Sequence, residues 1–139
     1  MVSKKRLFGF WEESFKASKS FSGSTQSIKD YWNPDSKTEY LDKIILYLQN
    51  GYMLSSYRGM DEDLIDPSHK IISGGYSALT DGTWIWASHT TTYIERHGIQ
   101  IDKNFLEHIT SNQMNIPQVT ESELLYYSDI WMDIIKGII

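Results

Sequence analysis

The sequence predicts an α+β fold: a small antiparallel sheet of three or more strands flanked by four to five helices. Three observations predict it. Apolar residues recur at helical spacing in four separate stretches, each with capping residues at an end. Segments 52–59 and 71–79 carry the composition and alternation of strands. Between "YSAL" and "TWIW" stands Asp81-Gly82, a pair that tolerates the positive φ angles of a tight hairpin. The chain has 139 residues, which fits one domain of residues 1–139, since domains cluster around 100 to 150 residues. At that size roughly two thirds of the unfolded surface can be buried, enough for a real core.

Residues 1–35 are the least regular part. Phe8, Phe10, Trp11, Phe15, Phe21, Tyr31 and Trp32 stand among Ser and Lys, and the spacing suggests an irregular arm packing over the core. "FSGS" at 21–24 reads as a loop, and "STQSIKDYW" after it as a short helix ended by Asn33-Pro34. In "SKTEYLDKIILYLQNG", residues 36–51, Ser36 and Glu39 have capping-box spacing. Tyr40, Leu41, Ile44, Ile45 and Leu48 then repeat at helical spacing, and Gly51 is placed to close the helix in a left-handed conformation. "YMLSSYRG", 52–59, reads as a strand with Leu54 and Ser56 on one face and Met53, Ser55 and Tyr57 on the other.

"MDEDLIDPSHK", 60–70, reads as an acidic loop, and "IISGGYSAL", 71–79, as a second strand in which Gly74-Gly75 suggests a bulge or a close backbone approach. Trp84 and Trp86 lie two apart in the strand after the hairpin, so both point to one face and need a helix over them. Ser88 is placed to cap a helix over 89–98 that Gly98 stops, and Asp102 to cap another in which Phe105, Leu106 and Ile109 face inward. Thr120 and Glu123 repeat the capping-box spacing ahead of a last helix whose inner face is Leu124, Tyr127, Ile130, Trp131, Ile134 and Ile135.

Composition narrows the function. The chain is 40% hydrophobic and 14% aromatic, with a formal net charge of −5. That is too apolar for disorder, and its sign argues against nucleic-acid and anionic-membrane partners while leaving a basic protein partner open. There is no cysteine, hence no disulfide, thiolate metal site or thiol nucleophile. The basic start "MVSKKR" is followed by "LFGFWEESF", where Glu12 and Glu13 break the apolar run a signal peptide needs. These features predict a cytoplasmic protein.

The chemistry-bearing residues form no familiar constellation. His89 and His97 on one helix are eight residues apart, roughly 12 Å along its axis, too far for one metal ion with ligands near 2 Å. His97 and His108 sit on successive helices beside Glu107, without HExxH or HxH spacing. No serine lies in a GxSxG context, and Gly74-Gly75 lacks the pattern of a phosphate loop. No cofactor, metal or catalytic set is expected, and the chain is not expected to be an enzyme. The alternative is a small ligand-binding domain or enzyme with a cleft around Arg58, Trp84, His97 and His108. Asp61, Glu62, Asp63 and Asp66 place four carboxylates within six residues. They read as a solvated turn, as an EF-hand fragment lacking its required Gly and Glu, or as a docking surface for a basic partner.

"YRG" at 57–59, "LTDGTWIW" at 79–86, "YIERHGI" at 93–99, "FLEHI" at 105–109 and "FWEESF" at 10–15 resemble a set of small bacterial immunity proteins of contact-dependent growth inhibition and related polymorphic toxin systems. The resemblance covers about two thirds of the chain. It departs at Ala87, where that set carries Pro, and at Asp102 and Lys103, where Leu-Pro-type residues are common. It implies a cytoplasmic protein, monomeric alone, that blocks a cognate toxin domain as a heterodimer; for a basic toxin, Asp61, Glu62, Asp63 and Asp66, the most concentrated acidic stretch of the sequence, are the expected partner-binding residues. The matching motifs are turn, core and cap residues, so they speak for a shared fold before a shared role.

Overall fold

The Asp81-Gly82 hairpin organises the sheet. The computed structural model describes residues 6–11, 26–33, 39–55, 60–62, 64–65, 71–73 and 77–135. Among them, β1 (Leu7–Phe8), β2 (Tyr52–Ser55), β5 (Ala78–Thr80) and β6 (Ile85–Ala87) form a four-stranded sheet in the order β1-β6-β5-β2, and β3 (Met60–Glu62) pairs with β4 (Ile71–Ser73) separately. A 3-10 turn (Ile28–Tyr31) and four α-helices accompany them: α1 (Leu41–Gln49), α2 (Thr90–His97), α3 (Lys103–Ser111) and α4 (Glu121–Ile135). β5 and β6 pair antiparallel as expected. Gly82 takes φ +91 in the connection, a conformation an L side chain resists.

The α+β class stands, but the sheet is mixed rather than antiparallel. β1 runs parallel to β6, with Leu7 opposite Ile85 and Phe8 opposite Trp86. The amino-terminal arm therefore does more than cover the core. Two of its residues extend the sheet, and both are buried because successive strand side chains enter opposite layers.

The remaining strands also correct the sequence reading. β2 pairs antiparallel with β5, but its register shifts between Met53 and Ser55. One extra residue in a bulge reverses the faces that follow, so Ser55 and Met53 do not share a side. The expected strand over 71–79 is two strands in two sheets, with Gly74-Gly75 between them outside the described residues. The expected loop over 60–70 begins with strand, since Asp61 lies opposite Ile72 and Glu62 opposite Ile71.

Apolar residues fill both sides of the main sheet. On one, Phe8, Trp84, Trp86 and Leu79 pack with Ile44, Tyr47 and Leu48 of α1, Tyr93 and Ile94 of α2, and Phe105 and Ile109 of α3. On the other, Leu7, Ile85, Ala78 and Ala87 meet Phe10 and the inner face of α4, Ile130 and Trp131. Trp131 packs on Phe10 with ring centroids 4.7 Å apart and planes tilted by 38°, and its Nε1 donates to Ser55 Oγ at 3.1 Å. The described residues contain no helix long and apolar enough to cross a membrane.

Several helix ends follow the sequence and others do not. Asp102 accepts from the backbone N–H groups of Asn104 and Phe105, Gly98 ends α2 in the left-handed region, and Thr120 and Glu123 form the reciprocal capping box. Ser88 does not cap α2; His89 occupies that position without a side-chain cap bond. The Ser88 N–H is instead turned to the Ser77 carbonyl at 2.9 Å. α1 starts at Leu41 rather than from a Ser36–Glu39 box, because Tyr40 takes φ 57 and breaks helical continuity there. Tyr40 is then 61% exposed, and Ser36 lies outside the described residues. Gly51 is not the left-handed terminator: α1 ends at Gln49 with Asn50 as its C-cap, and Gly51 does not take a positive φ. Its role is space: a Cβ there would sit 2.5 Å from Trp86 Cζ2.

Candidate functional site

Asp81 is a buried polar side chain with four partners. It is 1% exposed, at the turn where β5 leaves for β6. Its Oδ1 accepts from the backbone N–H groups of Thr83 at 2.9 Å and Trp84 at 2.8 Å. This Asx-type closure is a reason Asp favours such turns. Oδ2 faces the helices. Tyr47 of α1 donates its hydroxyl to it at 2.5 Å, and His108 of α3 brings Nε2 to 3.0 Å. One turn further along α3, Asn112 donates Nδ2 to the Tyr47 hydroxyl at 3.1 Å and lies 3.2 Å from His108 Nε2.

The cluster joins the hairpin, α1 and α3 through a single carboxylate. Burial, then the hydrogen bond to Asp81, pushes the Tyr47 hydroxyl far above its ordinary pKa, so it remains a donor. A buried carboxylate is costly unless its lone pairs are met, and here four donors meet them. An Asp–His pair can serve acid–base chemistry when the imidazole faces a substrate. In this cluster the carboxylate is saturated and Nε2 is spent on it, while the His108 side chain remains 22% exposed. The arrangement is built to hold three elements in register.

The other candidate residues are dispersed. Trp84 stacks on Phe105, centroids 4.6 Å apart with planes 12° from parallel, and is 5% exposed. His97 packs beside Tyr93 at 6.1 Å, and its carbonyl accepts from Trp32 Nε1 at 2.9 Å. His89 is buried at the start of α2, with Nε2 2.7 Å from the Gly9 carbonyl. Burial holds its pKa down at about 4, against the upward pull of that hydrogen bond. The described residues include no group of three or more His, Asp or Glu placed to hold a metal ion. Arg58, Asp63 and Asp66 lie outside the described residues. Asp61 and Glu62 fall on β3, which turns part of the expected acidic loop into an ordered strand.

The sequence marks Asp81 as a turn residue and does not point to Tyr47 and Asn112 as its neighbours. The detectable signal was His108 and Asn112 at i, i+4, a spacing that puts both on one helix face. A second feature not marked by spacing lies on α4. Leu125, Tyr126 and Met132 are 63%, 50% and 42% exposed, although the helix docks its other side on the sheet.

Comparison with protein-family models, with curated proteins and with solved structures gives no match to the chain.

Proposed function

We propose that the chain is a cytoplasmic immunity protein that neutralises a cognate bacterial toxin domain, a basic nuclease, by binding it. One observation carries the reading: the motif residues that resemble the immunity set converge on one packed unit. Asp81 of "LTDGTWIW" is paired with His108 of "FLEHI", Trp84 stacks on Phe105, and Tyr93 and Ile94 of "YIERHGI" share one core cluster with Trp84 and Phe105. Motifs shared for the sake of a fold are expected to meet in this way, and function is then added on the outside. The net charge of −5 suits a basic partner.

The test is direct. The gene immediately upstream should encode a toxin domain. That domain, catalytically disabled, should bind this protein with one-to-one stoichiometry in a titration. A neighbouring gene of unrelated type, or a toxin domain that shows no binding at micromolar concentrations, would overturn the proposal.

A further inference from the structure

We infer that the outer face of α4 is the surface that docks a basic protein domain, seating Leu125 and Met132 in an apolar groove rimmed by Lys and Arg. This rests on the immunity reading and adds the place and manner of contact. Glu121, Leu125, Asp129 and Met132 follow one another at spacings of four, four and three, which lines them along one side of a helix. Ile130 and Trp131 are buried on the opposite side against the sheet. The exposed stripe thus alternates carboxylate and large apolar side chain, with Tyr126 half exposed beside it.

Charge decides the kind of partner. α4 carries Glu121, Glu123, Asp129 and Asp133 and no Lys or Arg. The chain has 18 acidic residues against 13 Lys and Arg, so outside α4 the balance is 14 against 13. α4 therefore contributes four uncompensated negative charges, as many as the segment 61–66. Its field is felt locally: burial first, and Glu123 next, raise the pKa of the neighbouring Tyr127 hydroxyl. Exposed apolar residues two turns apart are the anchor pattern of a helix lying in a groove. Interleaved carboxylates would speed and orient the encounter with a cationic rim.

The probe is the catalytically disabled toxin domain encoded by the adjacent gene, measured by surface binding at two salt concentrations. Leu125→Ser/Met132→Ser should weaken affinity about tenfold or more, as loss of central anchors does. Glu121→Gln/Asp129→Asn should slow association and flatten its salt dependence. Both pairs are exposed, so melting temperatures should match wild type. Hydrogen exchange on the unmodified protein supplies a second readout that needs no variant, with α4 amides gaining protection in the complex. Asp61→Asn/Glu62→Gln/Asp63→Asn, the acidic segment singled out by sequence, is the comparison arm. Binding to wild type that is unchanged by both α4 pairs, without protection of α4, overturns the docking surface while leaving the immunity reading standing. Loss of affinity confined to the 61–63 variant has the same meaning. Absence of binding to wild type overturns the immunity reading itself, and the docking surface with it.

Discussion

Lowering the pH should destabilise this protein through one residue, His89. Its ring is 2% exposed, donates toward the Gly9 carbonyl at 2.7 Å and meets Tyr93 edge-on with centroids 5.0 Å apart. Protonation would bury a cation at the amino-terminal end of α2, where the helix dipole also opposes it. Burial sets the folded pKa at about 4, below the ordinary 6.5. A depressed histidine contributes stability that is fully present above about 6.5 and is lost as pH falls toward about 4. The whole interval corresponds to about 3 kcal/mol, and about 2 kcal/mol of it should be gone by about pH 5. That is a sizeable share of a small domain's stability. His89→Gln keeps a side-chain N–H for Gly9 and does not titrate there. Urea denaturation of both proteins between pH 7.5 and 5, in steps of about half a unit, isolates the term as their difference, because every other group is common to both. The stability of wild type relative to the variant should fall by about 2 kcal/mol from pH 7 to pH 5. Parallel pH profiles would refute the assignment.

Three further outcomes follow from the packing. Trp84→Ala should cost about 3–5 kcal/mol by removing the ring stacked on Phe105; a midpoint within about 2 °C of wild type would contradict the core placement. Gly51→Ala should cost about 1–3 kcal/mol through overpacking against Trp86 and perturb tryptophan fluorescence, whereas an unchanged or raised midpoint would show that the ring yields freely. Tyr47→Phe should cost about 1–3 kcal/mol in chemical denaturation, since it deprives the buried Asp81 carboxylate of a donor. A neutral result there would show that His108 and the turn amides suffice.

Features set by neighbouring residues were readable in the sequence, and features set by distant ones were not. Asp102, Gly98 and the Thr120–Glu123 pair act on backbone groups within a few residues of themselves, so spacing alone identifies them. Trp84 and Trp86 declare their shared face by the period of a strand. β1 was invisible because two residues hold no periodicity, and its partner β6 lies some 78 positions away, Leu7 against Ile85. Tyr40 enters a left-handed conformation that its side chain does not favour, and nothing local announces it. The Ser88 cap failed because the helix begins one residue later than its spacing suggests, with His89 at the capping position. The Asp81 cluster was half legible. Asp-Gly gave the turn, while Tyr47 and His108 reach the same oxygen only after α1 and α3 have packed.

The proposed neutralisation of a toxin domain by direct contact is put to the test by a titration of toxin activity. The toxin domain encoded by the adjacent gene is assayed for nuclease activity against increasing amounts of this protein at fixed salt. Activity should fall linearly to background and reach it at one equivalent, with the Leu125→Ser/Met132→Ser protein requiring a large excess. Nuclease activity that persists undiminished at several equivalents of folded wild-type protein would contradict the account.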